Sequence, residues 1–137
     1  LPPVYMVAEK FEAMVRLGVV NSRMKDFYDL WLLSRLFEFD GRTLCEACRN
    51  TFRRRSTPMP NGLPIAFTDE FRKDNQKQTQ WRAFVRKAEP ENVSGNIDAV
   101  IGDVAAFLVP ILEAARGNEP FDLLWPQGGP WKQITME

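Results

Sequence analysis

A chain of 137 residues is long enough for one domain with one sizeable core, and its 45% hydrophobic and 26% charged residues match an ordinary globular protein. Eighteen basic and eighteen acidic residues leave a net charge of zero, so no global field draws in nucleic acid, and any such contact must come from local clustering. No apolar run reaches ~18 residues, which excludes a spanning helix, and the absence of histidine excludes Ser-His-Asp and Cys-His chemistry, leaving proton transfer to Asp, Glu, Lys or Tyr.

The opening LPPVYMVAEKF has neither a basic n-region nor a cleavage-like apolar segment, so no signal peptide is expected and the cytoplasm is the expected compartment. The missing initial Met points to a fragment. Residues 4–18 place Val7, Phe11, Met14 and Val15 at helical spacing, with Gly18 as the stop. On this helix Glu12 and Arg16 read as an i,i+4 surface ion pair. Lys10 has Val7, Ala13 and Met14 as helical neighbours, so it lies at the edge of the apolar stripe. There it either snorkels to water or meets an anionic partner.

A second helix is predicted over 22–37, capped by Asn21 or Ser22, with Met24, Phe27, Tyr28, Trp31, Leu32 and Leu36 as its apolar stripe. The short intervening linker predicts an antiparallel hairpin of helices one and two. Asp26 and Asp29 share a face; Arg23 precedes Asp26 by three residues and Lys25 precedes Asp29 by four. They read either as two intrahelical pairs on a solvated face, or as carboxylates that meet Lys10 across the hairpin. The second arrangement suits recognition of a phosphate chain and activation of a hydroxyl.

Asp40 reads as the N-cap of a helix over 41–55. Cys45 and Cys48 form a C-x-x-C inside it rather than after a strand, and zinc would need two further ligands. Both are expected to be structural thiols, as a reducing compartment permits. The helix ends in the densest basic cluster, Arg53, Arg54 and Arg55, which either solubilises a helix C-terminus or contacts RNA or phosphate. Residues 56–64 form a Pro-rich loop, Thr68 caps another start, and a helical pattern resumes over 76–88 around Trp81, Phe84 and Val85. Arg82, Arg86 and Lys87 make a second, sparser basic group. After a polar break, 97–116 is the most apolar helix, with Pro110 expected to kink it or remove one hydrogen bond. The tail carries Phe121, Leu124, Trp125 and Trp131 and is expected to be irregular but pinned by them. No segment alternates as a strand. The expectation is all-α: a single helical domain over 1–137, an irregular bundle of five to six helices with an extended, aromatic-pinned C-terminal tail.

The run VAEKFEAMVRLGVVNSRMKDFYDLWLL resembles the C-terminal motif of the AbiEii/AbiGii toxin-type nucleotidyltransferases. That motif runs Glu-Lys-(Leu/Phe), a basic residue, then (Arg/Lys)-Asp-x-x-Asp-(Leu/Phe). Here these are Glu9, Lys10, Phe11, Arg23, Lys25, Asp26, Asp29 and Leu30. FEFDG, TFRRRSTPMP, QWRAFVRK and WPQGGPW are similar to later parts of one bacterial branch, so the resemblance covers residues 4–131. It implies a toxin of a two-gene toxin–antitoxin system, some of whose relatives transfer nucleotides from an NTP to the 3′ end of tRNA. It implies further that Lys10 contacts the triphosphate and that Asp26 orients or deprotonates the acceptor hydroxyl, with Glu9, Arg23, Lys25 and Asp29 in support. Mg2+ and NTP are implied for the complete enzyme, with an antitoxin as partner and no membrane.

The family's N-terminal core carries a Gly-Ser motif and metal-binding carboxylates. SGNID at 94–98 is no substitute, having one aspartate and running straight into a helix. The expectation is therefore a C-terminal helical half that lacks its nucleotidyltransferase core, has no metal ligands of its own and is inactive alone. Two other readings compete: a non-catalytic helical module that binds RNA or protein through Arg53–Arg55, and a scaffold that dimerises through an exposed apolar groove.

Overall fold

The computed structural model describes residues 1–20, 23–90, 92–117 and 119–134. Six α-helices dominate the described residues. The first, α1 (Pro3–Leu17), starts on Pro2 and Pro3, where the missing N–H costs nothing. It stops at Gly18, whose φ of 56° a side chain would resist. Helix α2 (Met24–Leu36) follows Arg23, which makes no side-chain cap bond; the expected caps Asn21 and Ser22 lie outside the described residues. Helix α3 (Gly41–Arg54) is capped as expected, Asp40 Oδ2 accepting from the Thr43 N–H at 3.0 Å and its hydroxyl at 2.8 Å. The single turn α4 (Asp69–Arg72) is capped by Thr68, α5 (Asn75–Ala88) by Asp74 and α6 (Ile97–Arg116) by Asn96.

The core is built around α6. Ile97, Val100, Ile101, Val104, Phe107, Leu108, Ile111 and Leu112 are all at most 1% exposed, so the helix is apolar on most of its circumference. Trp31 Nε1 donates to Asp103 Oδ2 at 3.1 Å, fixing α2 on α6. Arg49 of α3 donates to the carbonyls of Ala114, Ala115 and Gly117 at 3.0–3.1 Å, at the end of α6 where helical donors run out. The expected stripe of α2 is rotated: Leu30 and Leu33 are buried, whereas Leu36 is 51% exposed. The cause is that α2 packs on α1, α5 and α6 rather than on one neighbour.

One departure from the all-α expectation is a small antiparallel sheet of three strands, β1 (Phe39–Asp40), β2 (Leu123–Trp125) and β3 (Lys132–Gln133), in that order. Phe39 pairs with Trp125 and Leu124 with Lys132. Strands of two or three residues are too short to show alternation. What places them is the tail's aromatic anchor: Trp125 Nε1 donates to the Ser34 carbonyl at 2.7 Å and Trp131 Nε1 to the Phe107 carbonyl at 2.8 Å. Helix α6 continues through Pro110. The Trp131 bond falls one residue from Ala106, whose carbonyl Pro110 leaves without its helical donor.

Gly41 is where the tail crosses the start of α3. A Cβ there would stand 2.7 Å from the Phe121 carbonyl oxygen and 2.8 Å from that of Leu123. Both obstacles are backbone, so Gly41→Ala is expected to destabilise the fold by about 1–3 kcal/mol. Urea unfolding followed by far-ultraviolet circular dichroism measures this, and an unchanged midpoint would refute the close approach.

Cys45 and Cys48 are 2% and 1% exposed and face the core from α3. Burial pushes both thiols above their ordinary value. Both are thus expected to resist a thiol-reactive dye in the native protein and to react on unfolding. Rapid labelling of the folded chain would contradict their placement.

Candidate active site

Lys10 sits at the middle of α1, flanked by side chains that fix the helix in place. Val7, Phe11 and Met14 are at most 1% exposed. Phe11 packs against Phe52 and Phe67 at centroid distances of 5.8 and 6.2 Å. From this support Lys10 reaches across to α2. Its Nζ lies 3.3 Å from Asp26 Oδ1 and 2.9 Å from Asp29 Oδ2. Helix α2 is equally constrained: Phe27 is fully buried against Phe71, and Tyr28 lies between Trp31 and Phe84 at 6.1 and 5.8 Å.

The two helical pairs read from the sequence are also present, Arg23 Nε–Asp26 Oδ2 at 2.9 Å and Lys25 Nζ–Asp29 Oδ2 at 2.8 Å. They do not exclude the interhelical contact: both kinds of pair coexist in one network of three cations and two carboxylates, but the face is not solvated as the first reading expects, since Asp26 is buried. Desolvation pulls the Lys10 ammonium toward neutrality, but Asp29 and Asp26 outweigh it and raise its pKa above the ordinary value. Lys10 therefore stays charged at neutral pH: it can hold an anion but cannot take up a proton. Because its folded value is raised, the stabilisation it contributes is complete below the ordinary lysine value of 10.5 and is lost as pH rises through the folded one.

Glu9 points the other way. It binds Arg54, and Arg55 at 2.9 Å, so it ties α1 to the end of α3. Burial would raise its carboxyl, but the two guanidiniums prevail and hold it below the usual range. Two of the three arginines in the expected basic cluster thereby share one carboxylate, which offsets one of their two charges. Among the described residues, Arg53 has a 3.4 Å contact with Asn50 and no ion pair.

Glu12 corrects the sequence reading. It is 1% exposed rather than on the surface. Its Oε2 accepts from Thr57 Oγ1 at 2.6 Å and from Arg16 Nε at 2.9 Å. The signal was legible: Ala8 at i−4 and Val15 at i+3 are apolar, so position 12 belongs to the packed face.

The network stands between two open grooves. One, of about 430 Å³, is lined by Lys10, Glu9, Glu12, Arg16, Arg23 and Arg55. The other, of about 500 Å³, is lined by Asp26 with Arg23, Lys25, Gln80 and Phe84. Gln80 and Phe84, from α5, fall in the family-like segment QWRAFVRK, where the sequence marks Phe84 only as an apolar anchor and neither residue as part of a site. Asp29 lines neither groove. For a metal the donor set does not fit: Asp26 and Asp29 are both engaged by cations, and no third carboxylate or thiol joins them among the described residues. Among the described residues, no helix is long and apolar enough to cross a membrane.

No curated protein and no solved structure matches the chain. Residues 1–107 match the family described as "Nucleotidyl transferase AbiEii toxin, Type IV TA system", a description that implies an antitoxin partner. That match spans α1 to α6 as far as Phe107 and takes in every residue of the Lys10 network. The Glu-Lys motif and the paired aspartates, separate in sequence and joined through Lys10, thus lie inside the matched region, and the chain belongs to the AbiEii family of nucleotidyl transferase toxins.

Proposed function

We propose that this domain is the helical half of a nucleotidyltransferase toxin and supplies one lysine and one aspartate to a cleft for NTP and RNA. The observation that supports this best is the position of Lys10, shared by Asp26 and Asp29 at the boundary of two grooves. On this reading the groove at Lys10, Arg16, Arg23 and Arg55 takes the triphosphate, and a fixed ammonium suits that task. The groove beside Asp26 takes the acceptor end of tRNA. Asp26 orients or deprotonates the hydroxyl, whereas Asp29, which faces Lys10 and Lys25, holds Lys10 in place.

Phosphoryl transfer also needs charge neutralisation at the phosphates. Asp26 and Asp29 do not offer a metal a free donor set, so the carboxylates for Mg2+ are assigned to an N-terminal nucleotidyltransferase core that joins this domain. The test is nucleotidyl transfer to tRNA with NTP and magnesium, first with this chain alone and then with the chain joined to such a core. Activity is expected only in the second case. Strong transfer by the chain alone would overturn the division of labour.

A further inference from the structure

In the basic cluster most visible in the sequence, Arg54 and Arg55 share the single carboxylate of Glu9. Along α5 the case differs. Arg82, Arg86 and Lys87 are exposed and, among the described residues, make no ion pair or side-chain hydrogen bond. Arg82 lines a groove of about 390 Å³ together with Arg72 and Lys73. Asn75, the first residue of α5, and Asn96, the cap of α6, line it as well, so two positive helix ends border it. Its one carboxylate, Asp98, is taken by Arg72 at 2.6 Å. The frame is stiff: Gln78 accepts from the Ile97 N–H and donates to the Gly95 carbonyl, both at 2.9 Å. Gly102 leaves room for the Arg72 guanidinium, which lies 2.8 Å from where a Cβ would stand.

Unneutralised cations beside a polar groove with two helix N-termini complement phosphate. Arg82 and Arg86 are one helical turn, ~6 Å, apart on one face, which fits a chain of phosphates better than a single one. Helix α5 is also a wall of the groove beside Asp26, through Gln80, Ala83 and Phe84. We propose that α5 carries the phosphodiester backbone of an RNA strand, from the groove at Arg72, Lys73 and Arg82 toward the groove beside Asp26. This deepens the proposed function and rests on its assignment of Asp26 to the RNA side.

The test titrates the chain into fluorescently labelled bulk tRNA between about 50 and 200 mM salt. Arg82→Glu combined with Arg86→Glu is expected to weaken binding about tenfold and to lower the salt slope by about 2, whereas Arg53→Glu is expected to shift affinity by less than about twofold. Circular dichroism checks the fold, and Arg82→Gln with Arg86→Gln serves if the charge reversal disturbs it. Unchanged tRNA binding by the folded double variant would overturn the proposal. So would equal loss of affinity for a DNA duplex, which marks a general polyanion surface. Loss of tripolyphosphate binding with tRNA binding intact would do the same, by making the groove a free-nucleotide site. Binding is read without catalysis, so its failure and the failure of transfer through Lys10 and Asp26 are separate results.

Discussion

Asp26→Asn, in the chain joined to a nucleotidyltransferase core, is expected to lower transfer to tRNA by about 10²–10⁴-fold, the usual worth of a positioned acid–base group. The substitution keeps the size of the side chain and removes its charge. The fold should survive because Lys10 keeps its 2.9 Å contact with Asp29, and Phe27 and Trp31 still anchor α2 in the core. Asp29→Asn is expected to have a smaller effect on the chemical step and a larger one on NTP affinity, since it removes the closer of the two carboxylates that hold Lys10. Lys10→Ala should raise the KM for NTP as well as lowering the rate, because the ammonium acts on the bound phosphates. Steady-state kinetics of the three variants, with near-native circular dichroism as the control, separates these roles. Wild-type rates for both Lys10→Ala and Asp26→Asn would remove the cleft from consideration.

Phe107→Ala is expected to cost about 3–5 kcal/mol, a large part of a typical domain's stability of about 5–15 kcal/mol. Phe107 is fully buried, and three rings from separate segments close on it: Phe39 at 5.1 Å, Trp125 at 4.7 Å and Trp131 at 5.9 Å. Its loss should therefore detach the tail and the small sheet before the helices melt. Urea unfolding read by tryptophan fluorescence and by far-ultraviolet circular dichroism checks this, with the fluorescence transition expected at lower denaturant. Coincident transitions with a loss below about 1 kcal/mol would show that the tail is not held through Phe107.

The helices were legible because each carries a local signal. Asp40 and Thr68 cap as side-chain acceptors of the kind that starts a helix, Gly18 ends α1, and α6 has the boundaries its apolar pattern predicts. The site was half legible. The order Glu9-Lys10, then Arg23, Lys25, Asp26 and Asp29, identified the motif. Spacing alone favoured a solvated face over a cleft, because Lys10 and Asp26 are sixteen residues apart and only helix packing joins them.

What the sequence determines by itself is therefore local: helix starts and stops, the apolar stripes, and the family through the identity and order of the motif residues. Tertiary structure alone decided which charges remain free. Glu9 pairs with Arg54 and Arg55 from 45 and 46 residues away, and the buried Glu12 accepts from Thr57, also 45 residues away. Arg82 and Arg86, less conspicuous in the sequence, are left without a counter-ion among the described residues. The physical reason is one of range. Capping and periodicity act within a turn or two of chain, whereas an ion pair forms wherever packing brings opposite charges within a few ångströms, regardless of their separation in sequence.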